Sequence, residues 1–122
     1  MSFPAETILT AGEGLVVRWK TDNVDYGDPV KVHVYADKSY GMYAGPSGWG
    51  GSTVILQGSW DVDNVPPGEH TWVTLTESDN TTAISMTANG AGVILENPLW
   101  IRPKRTAGAV GNVVNVVLTG KY

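Results

Sequence analysis

The chain has 122 residues, 42% of them hydrophobic and 16% charged, with a formal net charge of −4 and no cysteine. The lack of cysteine excludes disulfides, thiolate metal ligands and cysteine nucleophiles, and an acidic chain with eight scattered Lys and Arg residues predicts no nucleic-acid partner. The N-terminus has no signal-peptide pattern, and no run approaches the ~18 apolar residues of a membrane span, so we expect no membrane partner.

Hydrophobic and polar residues alternate along much of the first half of the chain, which is the pattern of half-buried strands. In the stretch PVKVHVY, for example, Val30, Val32 and Val34 share one face and His33 lies on the other. The alternation predicts strands over residues 7–9, 14–20, 30–35 and 52–60. Between them, residues 21–29 and 61–70 are rich in the Asp, Asn, Gly and Pro of turns.

The second half of the chain continues the same pattern. Strands are predicted over residues 70–77 and 83–87 and in the C-terminal tail, where Val114, Val116 and Leu118 share a face. The segments SDNTT and ANGAG predict turns, and the Asn-Gly pair of the second is suited to a tight hairpin.

About eight or nine short strands, spaced by roughly ten residues and without any helical period, predict an all-β fold. The fifteen glycines and seven prolines also favour turns over long helices. We therefore expect one domain over residues 1–122, an antiparallel β-sandwich of the jelly-roll type.

Residues 36–52, with the sequence ADKSYGMYAGPSGWGGS, are the exception to this alternation. The segment combines five glycines with Tyr40, Met42, Tyr43 and Trp49. Glycine-rich composition predicts a long loop here, and loops beyond roughly 12–15 residues are often functional.

The stretch GVILENPLWIRP contains two prolines, one acid and one base within an otherwise apolar run. Proline fits the first position of a strand, where its missing N–H costs nothing. We predict that a strand starts at Asn97-Pro98, that Leu99 and Ile101 point inward, and that Trp100 and Arg102 point outward. Pro103 is expected to end the pairing or to mark an edge, so the stretch is architectural.

No catalytic arrangement stands out in the sequence. His33 and His70 lie on different predicted strands, and Glu69 points away from His70 because neighbours on a strand face opposite sides. The chain has no Gly-x-Ser-x-Gly elbow, no phosphate-binding loop and too few histidines for a common zinc site. We expect no enzyme activity, no catalytic residue and no cofactor.

Two acidic segments could supply oxygen ligands for Ca²⁺, namely Asp22, Asp25 and Asp28 in one and Asp61, Asp63 and Asn64 in the other. Neither matches the twelve-residue EF-hand pattern, and Asp and Asn are also the usual residues of turns. We interpret both segments as turns and assign no metal site.

The five tryptophans point to packing or to an interface, because aromatic side chains dominate the energetics of both. Trp49 and Trp60 lie in or beside predicted loops. Interfaces are also enriched in Tyr and Met, so the candidate interface residues are Tyr40, Met42, Tyr43, Trp49 and Trp60.

From Thr53 to Leu118 the chain resembles small structural proteins of tailed bacteriophages, of the capsid decoration or cement type. The elements that carry the resemblance are Gln57-Gly58-Ser59 closing a strand, Trp72-Val73-Thr74-Leu75, and residues 96–103 with the sequence ENPLWIRP. They cover a little over half of the chain, and the residues before Thr53 match no named pattern.

The resemblance implies a β-sandwich subunit, often trimeric, that sits on the outside of a capsid and bridges neighbouring coat subunits. The expected partners are the major capsid protein and further copies of this chain, and the expected location is the virion surface. In decoration proteins the N-terminal segment often contacts the shell, so residues 1–12 are the candidate docking segment. Such proteins carry no catalytic residues.

Two alternatives remain open. Carbohydrate-binding sandwiches share a similar rhythm of strands, turns, aspartates and tryptophans, and in such a module Trp49 and Trp60 would be the stacking platforms. A phage tail or head-fibre domain is the other alternative.

Overall fold

The computed structural model describes residues 3–9, 14–46, 48–62, 66 and 69–121. This part of the chain forms antiparallel strands and no α-helix. The strands are β1 Glu6–Leu9, β2 Leu15–Thr21, β3 Asp25–Tyr26, β4 Val30–Lys31, β5 Asp37–Ala44, β6 Thr53–Ser59, β7 Val73–Thr74, β8 Ser85–Met86, β9 Gly90–Ile94, β10 Trp100–Ala107 and β11 Val114–Lys121. None of the described residues belongs to a helix that could cross a membrane.

One sheet has five strands in the order β1-β2-β11-β5-β9. The C-terminal strand β11 lies at its centre, with Leu118 opposite Val17 of β2 on one side and Tyr40 of β5 on the other. Val114, Val116 and Leu118 are all buried, as the alternation in the tail predicts.

The second sheet has the strand order β3-β10-β6-β7, and in addition β4 pairs with β10 and β8 pairs with β6. Its long strands β10 and β6 pair from Trp100↔Ser59 to Ala107↔Thr53. On their inward faces Val54, Leu56 and Ile101 are fully buried. The two sheets form the antiparallel, jelly-roll-like sandwich that the sequence predicts.

The inward side chains of both sheets form one hydrophobic cluster. Trp19 of β2 is fully buried in it, and its indole Nε1 donates a hydrogen bond to the backbone oxygen of Asp28 at 2.9 Å. That bond satisfies the polar atom of a large apolar side chain, which is what a buried tryptophan requires.

The expected loop over residues 36–52 is wrong in its first half, because Asp37–Ala44 is the eight-residue strand β5. Tyr40 and Met42 point into the core and are only 3% and 1% exposed, whereas Tyr43 points outward. The connecting segment is therefore 45–52. Glycine and tyrosine obscured a regular alternation that places Lys38, Tyr40 and Met42 on the inward face.

The expected strand over residues 30–35 is shorter than predicted. Only Val30–Lys31 is a strand, and a turn follows in which the N–H of Tyr35 donates to the oxygen of Val32. Val34 is consequently exposed, although Val32 is buried. Over residues 70–77 the ladder is likewise reduced to Val73–Thr74 and isolated bridges at Thr76 and Glu77.

Of two predicted turns, the one at SDNTT is confirmed and the hairpin at Asn89-Gly90 is wrong. SDNTT is a turn, closed by the N–H of Glu77 donating to the oxygen of Thr82 at 2.8 Å. Asn89-Gly90 is not a hairpin, because β8 pairs with β6 and β9 pairs with β5, so this connection passes from one sheet to the other.

Pro103 does not end pairing, because β10 continues through it to Ala107. Its oxygen accepts a hydrogen bond from the N–H of Gly27 at 2.8 Å, so Pro103 takes part in the sheet through its carbonyl group. Of the expected N-terminal docking segment, residues 1, 2 and 10–12 lie outside the described residues.

Candidate functional site

The five residues predicted as interface candidates do not form one site. Tyr40 and Met42 are buried, and the Tyr40 hydroxyl donates to Glu77 Oε1, so neither side chain reaches a partner in this fold. Tyr43 lies on the outer face of the five-stranded sheet. Trp49 is half-buried, with its Nε1 donating to Asn89 Oδ1 at 2.7 Å, and Trp60, which follows β6 of the other sheet, is 48% exposed.

Two of the carboxylates considered as metal ligands accept local hydrogen bonds. Asp61 Oδ2 accepts hydrogen bonds from the Thr71 N–H at 2.6 Å and from the Ser59 hydroxyl at 3.1 Å. Asp25 Oδ1 accepts from the N–H of Tyr26. Asp63 and Asn64 lie outside the described residues, and within the described ones no group of three or more His, Asp or Glu side chains is placed to hold a metal ion.

The two histidines lie in different surroundings, one at an open cleft and the other buried against aromatic rings. His33, in the turn after β4, lines an open cleft of about 200 Å³ together with Lys31, Val62 and Leu99. His70 is buried with its ring centroid 5.6 Å from that of Trp72 and 5.5 Å from that of Trp100.

The outer face of the six-stranded sheet carries a cluster of aromatic and basic side chains. The strict alternation of β10 turns Trp100, Arg102 and Lys104 outward, as predicted for the first two, while Ile101, Pro103 and Arg105 face the core. The register places Lys31 of β4 beside Trp100 and Tyr26 of β3 beside Lys104. These five outward residues and Trp72 make up the cationic face: Tyr26, Lys31, Trp72, Trp100, Arg102 and Lys104.

Arg102 is the centre of the cationic face. Its guanidinium carbon lies 4.2 Å from the ring centroid of Tyr26 and 4.1 Å from that of Trp72. Tyr26 belongs to the strand on one side of β10, and Trp72 approaches from the opposite side, so the guanidinium lies between the two rings. Its Nε donates a hydrogen bond of 2.9 Å to Oε1 of Gln57, which is the residue directly opposite Arg102 on β6.

Trp100 extends the cluster toward the end of the sheet. Its Nε1 donates to the backbone oxygen of Asp61 at 3.2 Å, its ring contacts His70, and Lys31 Nζ lies 5.8 Å from the ring centroid. Cation–π contacts and ring packing of this kind hold side chains in defined rotamers. These contacts restrain Arg102, Trp72 and Trp100, the central side chains of the cationic face.

The electrostatics of the face differ from those of the whole chain. Partial burial lowers the pKa of Arg102, because it disfavours the charged form, and the nearby Tyr26 opposes this effect. The outward residues of β10 and the residues paired with them across the sheet include no acid: Trp100, Arg102, Lys104, Thr106, Lys31, Tyr26, Ser59, Gln57 and Ile55. In a chain with a net charge of −4, the row of Arg102 and Lys104 is thus locally basic. A carboxylate, that of Asp61, also reaches this face at the Trp100 end, where it is bonded to Ser59 and Thr71.

Tyr26, Trp72 and Arg102 were not among the interface residues expected from the sequence. The outward orientation of Arg102 follows from the alternation around it, but its two rings come from segments that are distant along the chain. Only the strand order brings them together.

No family model and no curated protein matches the chain. Among solved structures, the SPBc2 prophage-derived protein YomS is similar, with a TM-score of 0.52 and 9% identity over 93% of this chain and 98% of that one. A cupin domain from Bordetella pertussis Tohama I (TM-score 0.48, 7% identity, 99% of this chain and 94% of that one) is also similar. An RmlC-like cupin family protein with a double-stranded β-helix fold from Methanocaldococcus jannaschii is similar as well (TM-score 0.49, 5% identity, 98% of this chain and 80% of that one). At these identities the likeness is one of fold: a jelly-roll-like β-sandwich.

Proposed function

We propose that this chain is a structural protein of a bacteriophage virion, a capsid decoration protein that binds the outer shell and bridges coat subunits as a homo-oligomer, most simply a trimer. Its action is binding and not catalysis. In this proposal the cationic face is the surface that contacts the shell.

The observation that carries the proposal is the ordered stack of Tyr26, Arg102 and Trp72 on an outer sheet face. Tyr, Trp and Arg are the residues that dominate binding energy at protein interfaces, and they do so best when they are rigid before the partner arrives. The space between the sheets is filled by side chains such as Trp19, Leu56 and Leu118. The prophage origin of YomS, which has a similar fold, agrees with a phage role.

The test uses particles purified from a host that carries the genome encoding this chain. We expect the chain to co-purify with intact particles at a fixed ratio to the major capsid protein, measured by quantitative mass spectrometry, and to be accessible to antibody on the particle surface. A chain that is absent from purified particles overturns the proposal.

A matched pair of variants tests the surface. Tyr26 and Tyr43 are 45% and 44% exposed but lie on the outer faces of different sheets. Tyr26→Ala is expected to lower occupancy of particles about tenfold or more, as loss of an interface anchor does, while Tyr43→Ala leaves occupancy nearly unchanged. If Tyr43→Ala lowers occupancy and Tyr26→Ala does not, the interface lies on the five-stranded sheet instead.

Glycan binding by Trp49 and Trp60 is tested with the same protein. Trp49 is half-buried with its indole N–H bonded to Asn89, and Trp60 follows a strand of the six-stranded sheet, so the two rings do not form one platform. We therefore expect no change in tryptophan fluorescence across a broad glycan panel. Saturable quenching that is lost in Trp60→Ala would favour the carbohydrate-binding module instead.

A further inference from the structure

The donors of Arg102 are only partly used within the part of the chain that the structure describes. A guanidinium has five N–H donors, and in Arg102 the Nε donor is bonded to Gln57. Among the described residues, none accepts a hydrogen bond from Nη1 or Nη2. Since Nε is occupied, the pair of terminal nitrogens is the edge that remains for a planar, two-oxygen acceptor.

The surroundings of the guanidinium favour such an acceptor. Tyr26 and Trp72 fix the plane of the group from both sides, and Gln57 fixes its rotation, so little conformational freedom remains to be lost on binding. Partial burial weakens the solvation of the charge, which strengthens the attraction of an incoming anion. A carboxylate lying in the plane of the guanidinium would form two parallel hydrogen bonds and remain between the same two rings.

The neighbouring charges extend this preference along the strand. Lys104 and Arg102 are two residues apart on β10, and so are separated by about 6.5 Å. Lys31 adds a third cation beside Trp100. An extended peptide carries side chains of one face at the same spacing, so acidic residues at alternate positions would match the row.

We propose that Arg102 binds a carboxylate of the partner protein, and that this partner presents an extended acidic segment to the cationic face. The inference deepens the proposed function and rests on its assignment of the cationic face as the docking surface. An acidic protein segment is favoured over a nucleic acid because the chain as a whole is acidic and only three of its eight Lys and Arg residues belong to the cationic face.

The experiment is a titration of the full chain with the blocked peptide hexaglutamate. Binding is followed by the NMR signal of the Arg102 Nε–H and by the total tryptophan fluorescence, to which Trp72 and Trp100 on the cationic face contribute. Blocked hexaglutamine is the uncharged control peptide. We expect saturable shifts with hexaglutamate and none with hexaglutamine, and affinity that falls as salt is raised.

Three variants make the test specific. Arg102→Gln is expected to weaken hexaglutamate binding about tenfold or more, and Arg102→Lys, which keeps the charge and the aliphatic stem but not the planar fork, also weakens it severalfold. Arg18→Gln removes one positive charge from the outer face of the other sheet and is the matched control, with less than about twofold effect. Arg102→Lys keeps a long side chain and its positive charge at this position, so it tests the inference even if Arg102→Gln does not fold.

Equal binding of the two peptides, or equal effects of Arg102→Gln and Arg18→Gln, overturns the inference. Tighter binding of a single-stranded hexathymidylate than of hexaglutamate also overturns it and indicates a phosphate-bearing partner. The outcome is separable from the proposed function: if Arg102→Lys decorates particles like the wild type while Tyr26→Ala does not, the docking face stands and the carboxylate contact fails.

Discussion

Arg105 shows how this small domain uses a buried charge at the scale of a single residue. Its side chain is fully buried, and the guanidinium donates to four backbone oxygens, those of Thr21, Ala107, Ala109 and Asn112, at 2.5 to 3.3 Å. Burial lowers its pKa because the charged form loses solvent. The four bonds tie the end of β2 to the segment between β10 and β11, which has no ladder of its own.

Replacing Arg105 with methionine keeps most of the apolar stem but removes these donors. Because buried carbonyls are left unpaired, we expect the free energy of unfolding to fall by about 3 kcal/mol or more, measured by urea denaturation. Arg18→Met is the control, since Arg18 forms a surface ion pair with Glu6 at 3.0 Å and such pairs contribute little. Similar losses in both variants would contradict the structural role of Arg105.

Asp79 orders the turn Ser78–Thr82 through its carboxylate. Oδ1 accepts hydrogen bonds from the N–H groups of Thr81 and Thr82, and Oδ2 accepts from the Thr82 hydroxyl. The bonds to Thr82, and then that to Thr81, lower the pKa of Asp79 from 3.8 to about 2. A depressed pKa in the folded state means that the ionised carboxylate stabilises the fold.

That stabilisation is fully present above the ordinary pKa of 3.8 and is lost as the pH falls to about 2. Asp79→Asn keeps an acceptor oxygen but does not titrate. We expect the thermal midpoint of the wild type to fall more steeply between pH 4 and 2 than that of Asp79→Asn, with the two curves parallel above pH 5. Curves that stay parallel down to pH 2 would show that Asp79 titrates normally.

At the scale of elements, the strands that alternate β-branched and polar residues could be predicted from the sequence, and β2, β6 and β11 are of this kind. β5 could not, because its inward row mixes Lys38 with Tyr40 and Met42. Lys38 is tolerated there because its ammonium donates to Tyr35 O at 2.8 Å and to Asn97 Oδ1 at 2.5 Å. Those partners are supplied by tertiary structure.

The cationic face was predictable only in part for the same reason. The alternation around Ile101 turns Arg102 outward, and that much is local information. Its stacking partners, Tyr26 and Trp72, depend on β3 and β6 lying on either side of β10. No spacing within the sequence encodes such a neighbourhood, since it results from which strands pair.

Two glycines in the paired strands β5 and β9 make a matched test of sheet packing. A Cβ added at Gly41 would meet nothing within 4 Å, whereas one at Gly92 would lie 2.6 Å from Glu77 Oε1 and 2.8 Å from the Tyr40 hydroxyl. Neither glycine has a positive φ, so the backbone accepts alanine at both.

We expect Gly41→Ala to leave stability unchanged or to raise it by up to about 1 kcal/mol, because the unfolded chain loses freedom. Gly92→Ala is expected to cost about 1–3 kcal/mol by crowding the partly buried Tyr40–Glu77 hydrogen bond. Urea denaturation of both variants measures the difference. Equal stability of the two would mean that the Tyr40–Glu77 pair can move aside freely.

At the scale of the whole molecule, the two sheets share one hydrophobic cluster and have no separate cores among the described residues. Leu56 of β6 and Leu118 of β11 are both fully buried and belong to opposite sheets. A sandwich that shares its core in this way should unfold as one cooperative unit, since neither sheet retains a buried face without the other.

We therefore expect Leu56→Ala and Leu118→Ala each to lower the free energy of unfolding by about 2–5 kcal/mol. In each variant, far-UV circular dichroism and tryptophan fluorescence are expected to give the same midpoint in urea. Trp19, fully buried between the sheets, contributes to the change in fluorescence because it goes from the core to solvent. Two separated transitions, with Leu56→Ala shifting one and Leu118→Ala the other, would instead mean that each sheet is stable alone. In that case the cationic face could be presented by the six-stranded sheet without support from the five-stranded one.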